Sequence, residues 1–125
     1  MELKNTYIPA VRLTFASNGD SFFEKGRIIA DLKINSEHIF FANEIDSWQI
    51  GAHIAPRRQF VVTLHGKLKF MTSDNLSFIL EPGIVLLAED ISGKGHRWEM
   101  IDGHTTWQRI YIPVTEETKN LFVKD

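Results

Sequence analysis

The stretch GAHIAPRRQFVVTLHG, residues 51–66, holds two histidines, an arginine pair, a lone glutamine and a closing glycine. Its second half is strand material. Phe60 is aromatic and Val61, Val62 and Thr63 are β-branched, side chains that fit a pleated, half-buried surface. Side chains alternate along a strand. Gln59, Val61, Thr63 and His65 therefore share one face, and Phe60, Val62 and Leu64 share the other. Both faces are largely apolar, which places this strand centrally with cover on both sides.

Working outward, turn signals recur at short intervals: SNGD (17–20), EKG (24–26), HG (65–66), SDN (73–75), EPG (81–83), SGKG (92–95) and DG (102–103). Between them lie short runs rich in β-branched and aromatic residues, among them YIPAVRLTF, RIIADLKI, HIFFA, LKFM, LSFIL, IVLLA, RWEMI and TTWQRIYI. Many short strands at close spacing predict an all-β sandwich or barrel. Around 96–101, His96, Trp98 and Met100 share one face while Arg97 and Glu99 point away, so His96 and Trp98 look inward. Helical signals are confined to the tail. TEETKNLF (115–122) opens on a Thr N-cap with acidic first-turn residues and predicts a short C-terminal helix.

The bulk composition narrows the function classes. A chain of 125 residues has the length of one domain, 1–125. Hydrophobic residues make up 43%, too many for a disordered chain. A formal charge of −2 gives no general attraction to nucleic acid or anionic membrane. There is no cysteine, which excludes disulfides, thiolate catalysis and Cys-based zinc sites. The longest apolar runs fall far short of the roughly 20 residues of a membrane helix. MELKNTYIPAVRL lacks the apolar run of a signal peptide, so a cytoplasmic protein is expected.

A second motif follows the first after a hairpin, K-L-K-F-M-T-S-D-N-L-S-F-I-L. It reads P-G-I-V-L-L-A-E-D-I-S-G-K-G-H-R-W-E-M, from Pro82 to Met100. Together, residues 51–112 resemble the barrel core of the cupins, which are small double-stranded β-helix jelly rolls. In that family the first motif carries a His-x-His pair, then a Glu, then a Gly seven positions later. Here His53 takes the first His, Ala55 the second, Gln59 the Glu, and Gly66 the Gly. In the second motif Pro82 and Gly83 match the opening turn and His96 the His, while Met100 stands where the family has Asn. The wording APRRQF and EDISGKGH is similar to a subgroup of short, single-domain bacterial cupins. The resemblance implies a cupin-like jelly-roll barrel and a homodimer, since an open jelly roll leaves edges to cover. The family spans isomerases, dioxygenases, decarboxylases, sensors and storage proteins, so the fold does not fix the function.

The resemblance also implies where a metal would sit. A typical cupin site offers three imidazoles and a carboxylate to iron, manganese, nickel, copper or zinc. This chain offers His53, Gln59 and His96. Ala55 offers nothing, and the amide removes the one anionic ligand. The favoured expectation makes His53 and His96 inward polar groups, hydrogen-bonded to Gln59 or to water. Arg57 shares the parity of Gln59 and is placed to fork onto a ligand carboxylate or phosphate. The alternative for Arg57 is an ion pair with Glu89 or Asp90 at the rim.

Other features carry less. The loop SGKGH (92–96) has two glycines and a lysine, but it lacks the longer P-loop pattern and opens no helix. Trp48 precedes the first motif and is placed to close one end of the barrel. Trp98 and Trp107 suit either sheet packing or a flat ligand. No nucleophile can be fixed beside any histidine, and the scattered acids support no carboxylate pair.

Two function classes follow. One is a small-molecule-binding cupin that holds a polar ligand inside the barrel among His53, Arg57, Gln59, His96 and Trp98. The other is a metal-dependent enzyme of dioxygenase or isomerase type, with iron, manganese, nickel or zinc on His53, Gln59 and His96 and solvent completing the shell. A metal-free enzyme using a histidine as general base is a subset of these classes.

Overall fold

The computed structural model describes residues 7–29, 33–114 and 121–125. They form ten strands: β1 (Tyr7–Phe15), β2 (Ser21–Ile29), β3 (Phe40–Ala42), β4 (Gln59–His65), β5 (Leu68–Thr72), β6 (Ser77–Leu80), β7 (Val85–Ala88), β8 (His96–Met100), β9 (Gln108–Pro113) and β10 (Phe122–Lys124). A short 3-10 turn spans Ser47–Gln49. No helix among the described residues is long and apolar enough to cross a membrane.

The strands make two sheets. The larger has the order β10-β2-β1-β7-β4-β9-β3 and the smaller β6-β5-β8. Strand β4 lies between β7 and β9, the central position its two apolar faces require. Alternation then sorts the core into two layers. Val11, Leu13, Val61, Leu86 and Ala88 of the large sheet meet Leu68, Phe70, Phe78 and Leu80 of the small sheet. Residues of opposite parity, Ala10, Phe60 and Leu87, build a second cluster on the outer face with Ile28. Strand β8 follows its predicted parity, with His96 buried and Arg97 and Glu99 exposed.

Two expectations change, and a third lies mostly outside the described residues. First, no ladder closes the sheets into a barrel among the described residues. Residues 43–58 run between the sheets as irregular chain, with one 3-10 turn and a single bridge from His53 to His96. With no sustained apolar alternation, this segment cannot extend either ladder. Second, EKG (24–26) is not a turn. It continues β2, and Gly26 lets β10 approach, since a Cβ there would lie 2.1 Å from the Val123 carbonyl oxygen. Third, the expected tail helix, 115–122, lies outside the described residues except for Leu121 and Phe122. Its last residue, Phe122, lies in β10, paired with Ile28 and packed on the outer cluster.

One close approach positions the site. Gly95 has φ +73°, and a Cβ there would lie 2.2 Å from the carbonyl oxygen of His53. Only glycine lets that segment reach β8. Gly95→Ala should therefore lower unfolding stability by more than about 1 kcal/mol in urea titration. Unchanged midpoints would show that the approach is not tight.

Candidate functional site

The segment 43–58 forms a strap across the open end of the sandwich, and a buried arginine holds one end of it. Arg109 on β9 is 2% exposed. Its guanidinium donates to the carbonyls of Glu44 (2.8 Å), Trp107 (2.6 Å) and Asn43 (3.4 Å) and to the Tyr111 hydroxyl (2.7 Å). It lies over the rings of Trp107 and Tyr111, at 4.4 and 5.3 Å from their centroids. The other end of the strap is tied by paired backbone hydrogen bonds between His53 and His96, each 2.9 Å, and by the Ala55 amide donating to Asp90 O at 3.0 Å. Gln49 is buried within the strap. Its Oε1 accepts from the Asp46 amide at 2.9 Å, which turns its Nε2 toward the Tyr111 hydroxyl at 3.4 Å.

Between strap and sheets lies a chamber of about 30 Å³, lined by His53, Gln59, His96, Trp98 and Tyr111 among others. That volume admits a water or two and no organic ligand. The His53 and His96 rings stand 4.5 Å apart between centroids. Each has its Nδ1 engaged. His53 Nδ1 meets the Gly51 carbonyl at 2.9 Å, and His96 Nδ1 meets the Asp90 carboxylate in a short contact. A carbonyl only accepts, so His53 Nδ1 carries the proton and Nε2 is left for the chamber. Burial pushes the His53 imidazole below its usual value. The Gly51 carbonyl opposes this, the neighbouring His96 ring adds to it, and Asp90 opposes it.

The chamber opens into a groove of about 610 Å³. Trp48, Gln49, Pro56, Gln59 and Tyr111 line both spaces and so mark their junction. Arg57 lines the groove. Its guanidinium donates to Gln59 Oε1 at 3.0 Å and lies over the Phe40 ring, 5.4 Å from its centroid.

The structure thus brings His53, Gln59, His96 and Trp98 to one chamber and sets Arg57 at its mouth. Of the partners expected for the histidines, Gln59 is not used: its amide oxygen receives Arg57. Arg57 pairs with no acid among the described residues. Glu89 is instead bound by Arg12 Nε at 2.5 Å and Arg58 Nε at 3.2 Å. His65 is exposed and edges onto His104, outside the site. The SGKGH loop is a structural tie. Lys94 pairs with Asp20 at 2.7 Å, and its amide donates to Gly19 O at 2.8 Å. Sequence reasoning missed Gln49, Arg109 and Tyr111 altogether and gave Asp90 only a place at the mouth. The available signal was parity, which puts Arg109 and Tyr111 on one face of β9.

The donor set does not fit a metal. Among the described residues no three His, Asp or Glu side chains are placed to share an ion. The third donor would be Gln59 Oε1, which already accepts from a guanidinium. A second cation on the same oxygen would meet that charge at close range in a partly buried site. Asp90 Oδ1 is buried with no partner among the described residues, but Asp90 does not line the chamber.

No family model matches the chain, and no curated protein and no solved structure matches it.

Two outcomes follow from this geometry. Protein purified without a metal-affinity tag or chelator should contain far less than one iron, manganese, nickel or zinc per chain by elemental analysis. Near-stoichiometric metal that disappears in His53→Ala would overturn the donor argument. The second outcome concerns pH. A histidine harder to protonate folded than unfolded contributes fully above its unfolded value of 6.5. The contribution is lost as pH falls from there toward the lower folded value. Between about pH 7.5 and 5.5 the urea midpoint of the native protein should fall further than that of His53→Gln. Parallel curves would show that His53 does not titrate against the fold.

Proposed function

We propose that the protein is a small-molecule-binding protein of cupin-like jelly-roll type, with its ligand in the groove and the polar end of that ligand at the chamber. The observation that carries this reading is the junction. A groove of about 610 Å³ narrows onto the chamber at Trp48, Gln59 and Tyr111. The volume lies in the ordinary range for small-molecule sites, roughly 300–1,000 Å³. Its walls combine aromatic faces with a few convergent polar groups, the usual composition of such sites. The chamber itself is too small for a ligand, so the body sits outside it, on Trp48 and Phe40, and only a polar tip reaches His53 and His96. Support for the jelly roll comes from two facing sheets and from the motif residues His53, Gln59 and His96 meeting between them. The metal-dependent alternative gains nothing from a donor set whose third member is bonded to Arg57. The homodimer stays a proposal, resting on the edge strand β3, where Phe41 is 79% exposed.

A ligand-observed NMR screen of chemically mixed fragments tests the reading, with hits mapped on the indole N–H signals of Trp48 and Trp98. Hits should converge on the groove, and Trp48→Ala should weaken them by roughly tenfold. Hits scattered over the surface, or indifferent to Trp48, would sink it.

A further inference from the structure

We propose that Tyr111 is the ligand-orienting residue of this groove and that the group it orients is an anionic oxygen, a carboxylate or a phosphate. The proposal rests on the groove-binding reading and narrows it to a ligand class.

The argument is a count of donors and acceptors. The Tyr111 hydroxyl accepts from Arg109 Nε at 2.7 Å and from Gln49 Nε2 at 3.4 Å. Neither donor can be reversed. A guanidinium has no acceptor, and the Gln49 amide is fixed by the Asp46 amide on its oxygen. Both lone pairs of the phenol are therefore in use, and its own proton can only donate. No acceptor for that proton exists among the described residues. Tyr111 lines both chamber and groove, so the unspent O–H belongs to the junction. Whatever sits there must accept.

Charge decides that the acceptor is an anion. Arg57 and Arg109 both line the groove, and neither pairs with a carboxylate among the described residues. Glu44 and Asp46 line it too, but both are exposed, whereas Arg109 is 2% exposed. Water screens the two acids and the exposed Arg57 alike, and the buried Arg109 is screened far less. The net pull at the inner end of the groove therefore favours negative charge. Arg57 Nη1 stands 3.0 Å from Gln59 Oε1, beside the same junction, and keeps N–H donors for a ligand oxygen. Arg109 has none to spare, since its fifth N–H reaches Gln49 Oε1 at 3.5 Å. It acts through Tyr111 by holding and polarising the hydroxyl. The body of the ligand is apolar and flat, because Trp48 and Phe40 form the groove wall.

The test uses four probes: benzoate, phenyl phosphate, benzamide and benzyl alcohol. Binding is followed by chemical-shift titration of the Trp48 indole in the native protein, Tyr111→Phe and Arg57→Gln. At least one anion should bind about tenfold tighter than the neutral probes, and Tyr111→Phe should remove about tenfold from that anion while leaving the neutral probes unchanged. A benzoate preference assigns a carboxylate ligand, and a phenyl phosphate preference assigns a phosphate. Arg57→Gln, at an exposed side chain, should erase the anion preference with the melting temperature intact, which covers the case of a poorly folded Tyr111 variant. If neutral probes enter the groove and anions gain nothing, the anion assignment falls and the groove reading stands. An anion affinity unchanged in Tyr111→Phe overturns the role of Tyr111. If no probe shifts Trp48, both fall together.

Discussion

A guanidinium buried with no carboxylate partner among the described residues organises the open end of this molecule. Removing a cation from water costs several kcal/mol even after relaxation. Arg109 offsets this with carbonyl oxygens from three residues, a phenol oxygen and two aromatic faces. Two of those carbonyls, from Asn43 and Glu44, belong to a segment about 65 residues earlier in the chain. The charge therefore does more than satisfy itself. It fixes where the strap leaves the large sheet, which in turn fixes Trp48, Gln49 and the rotamer of Tyr111. Without that anchor the strap would be held at its far end alone, by the His53 bridge and the Ala55 amide on Asp90 O.

The opposite wall depends on tight backbone packing. His53 and His96 exchange two main-chain hydrogen bonds, and Gly95 supplies the clearance. The His96 ring is then oriented by Asp90, which is fully buried and holds the neighbouring strap residue Ala55 through its carbonyl. Ring orientation by a carboxylate leaves Nε2 as the nitrogen that meets the chamber. Both walls thus use one device: a polar side chain is spent inside the fold on one side so that a defined atom faces inward on the other.

Much of this was legible because strand parity is strict. One residue of slip would have exchanged the faces of β4, and its two apolar faces leave it no place but the centre. The same alternation put His96 and Trp98 inward on β8. The strap was not legible. It has no periodicity, it is tied by isolated backbone pairs and side-chain-to-backbone bonds in place of a ladder, and its anchor is a charged residue at an inward position of β9, where charge ordinarily signals the wet face. Tyr111 was hidden with it, since its role depends on which bonds its oxygen already makes. Strand β2 ran through a turn signal because Gly26 there serves a neighbouring strand. Barrel closure failed where the sequence offers irregular chain in place of an alternating run.

The two residues of the first motif that differ from the cupin pattern it resembles make sense together in this setting. Ala55 is 3% exposed and joins the inner apolar cluster, so the position that would offer an imidazole offers a methyl group to the core. Gln59 is equally buried, and its amide oxygen receives Arg57. A glutamate at that position would neutralise Arg57 outright. The neutral amide holds the guanidinium in place and leaves its charge uncompensated. With Arg109 also pairing no carboxylate among the described residues, the groove sets Arg57, a buried guanidinium and a phenolic O–H against the exposed acids Glu44 and Asp46. On the proposed reading, the buried cation disfavours a metal ion and favours a negatively charged oxygen for the same electrostatic reason.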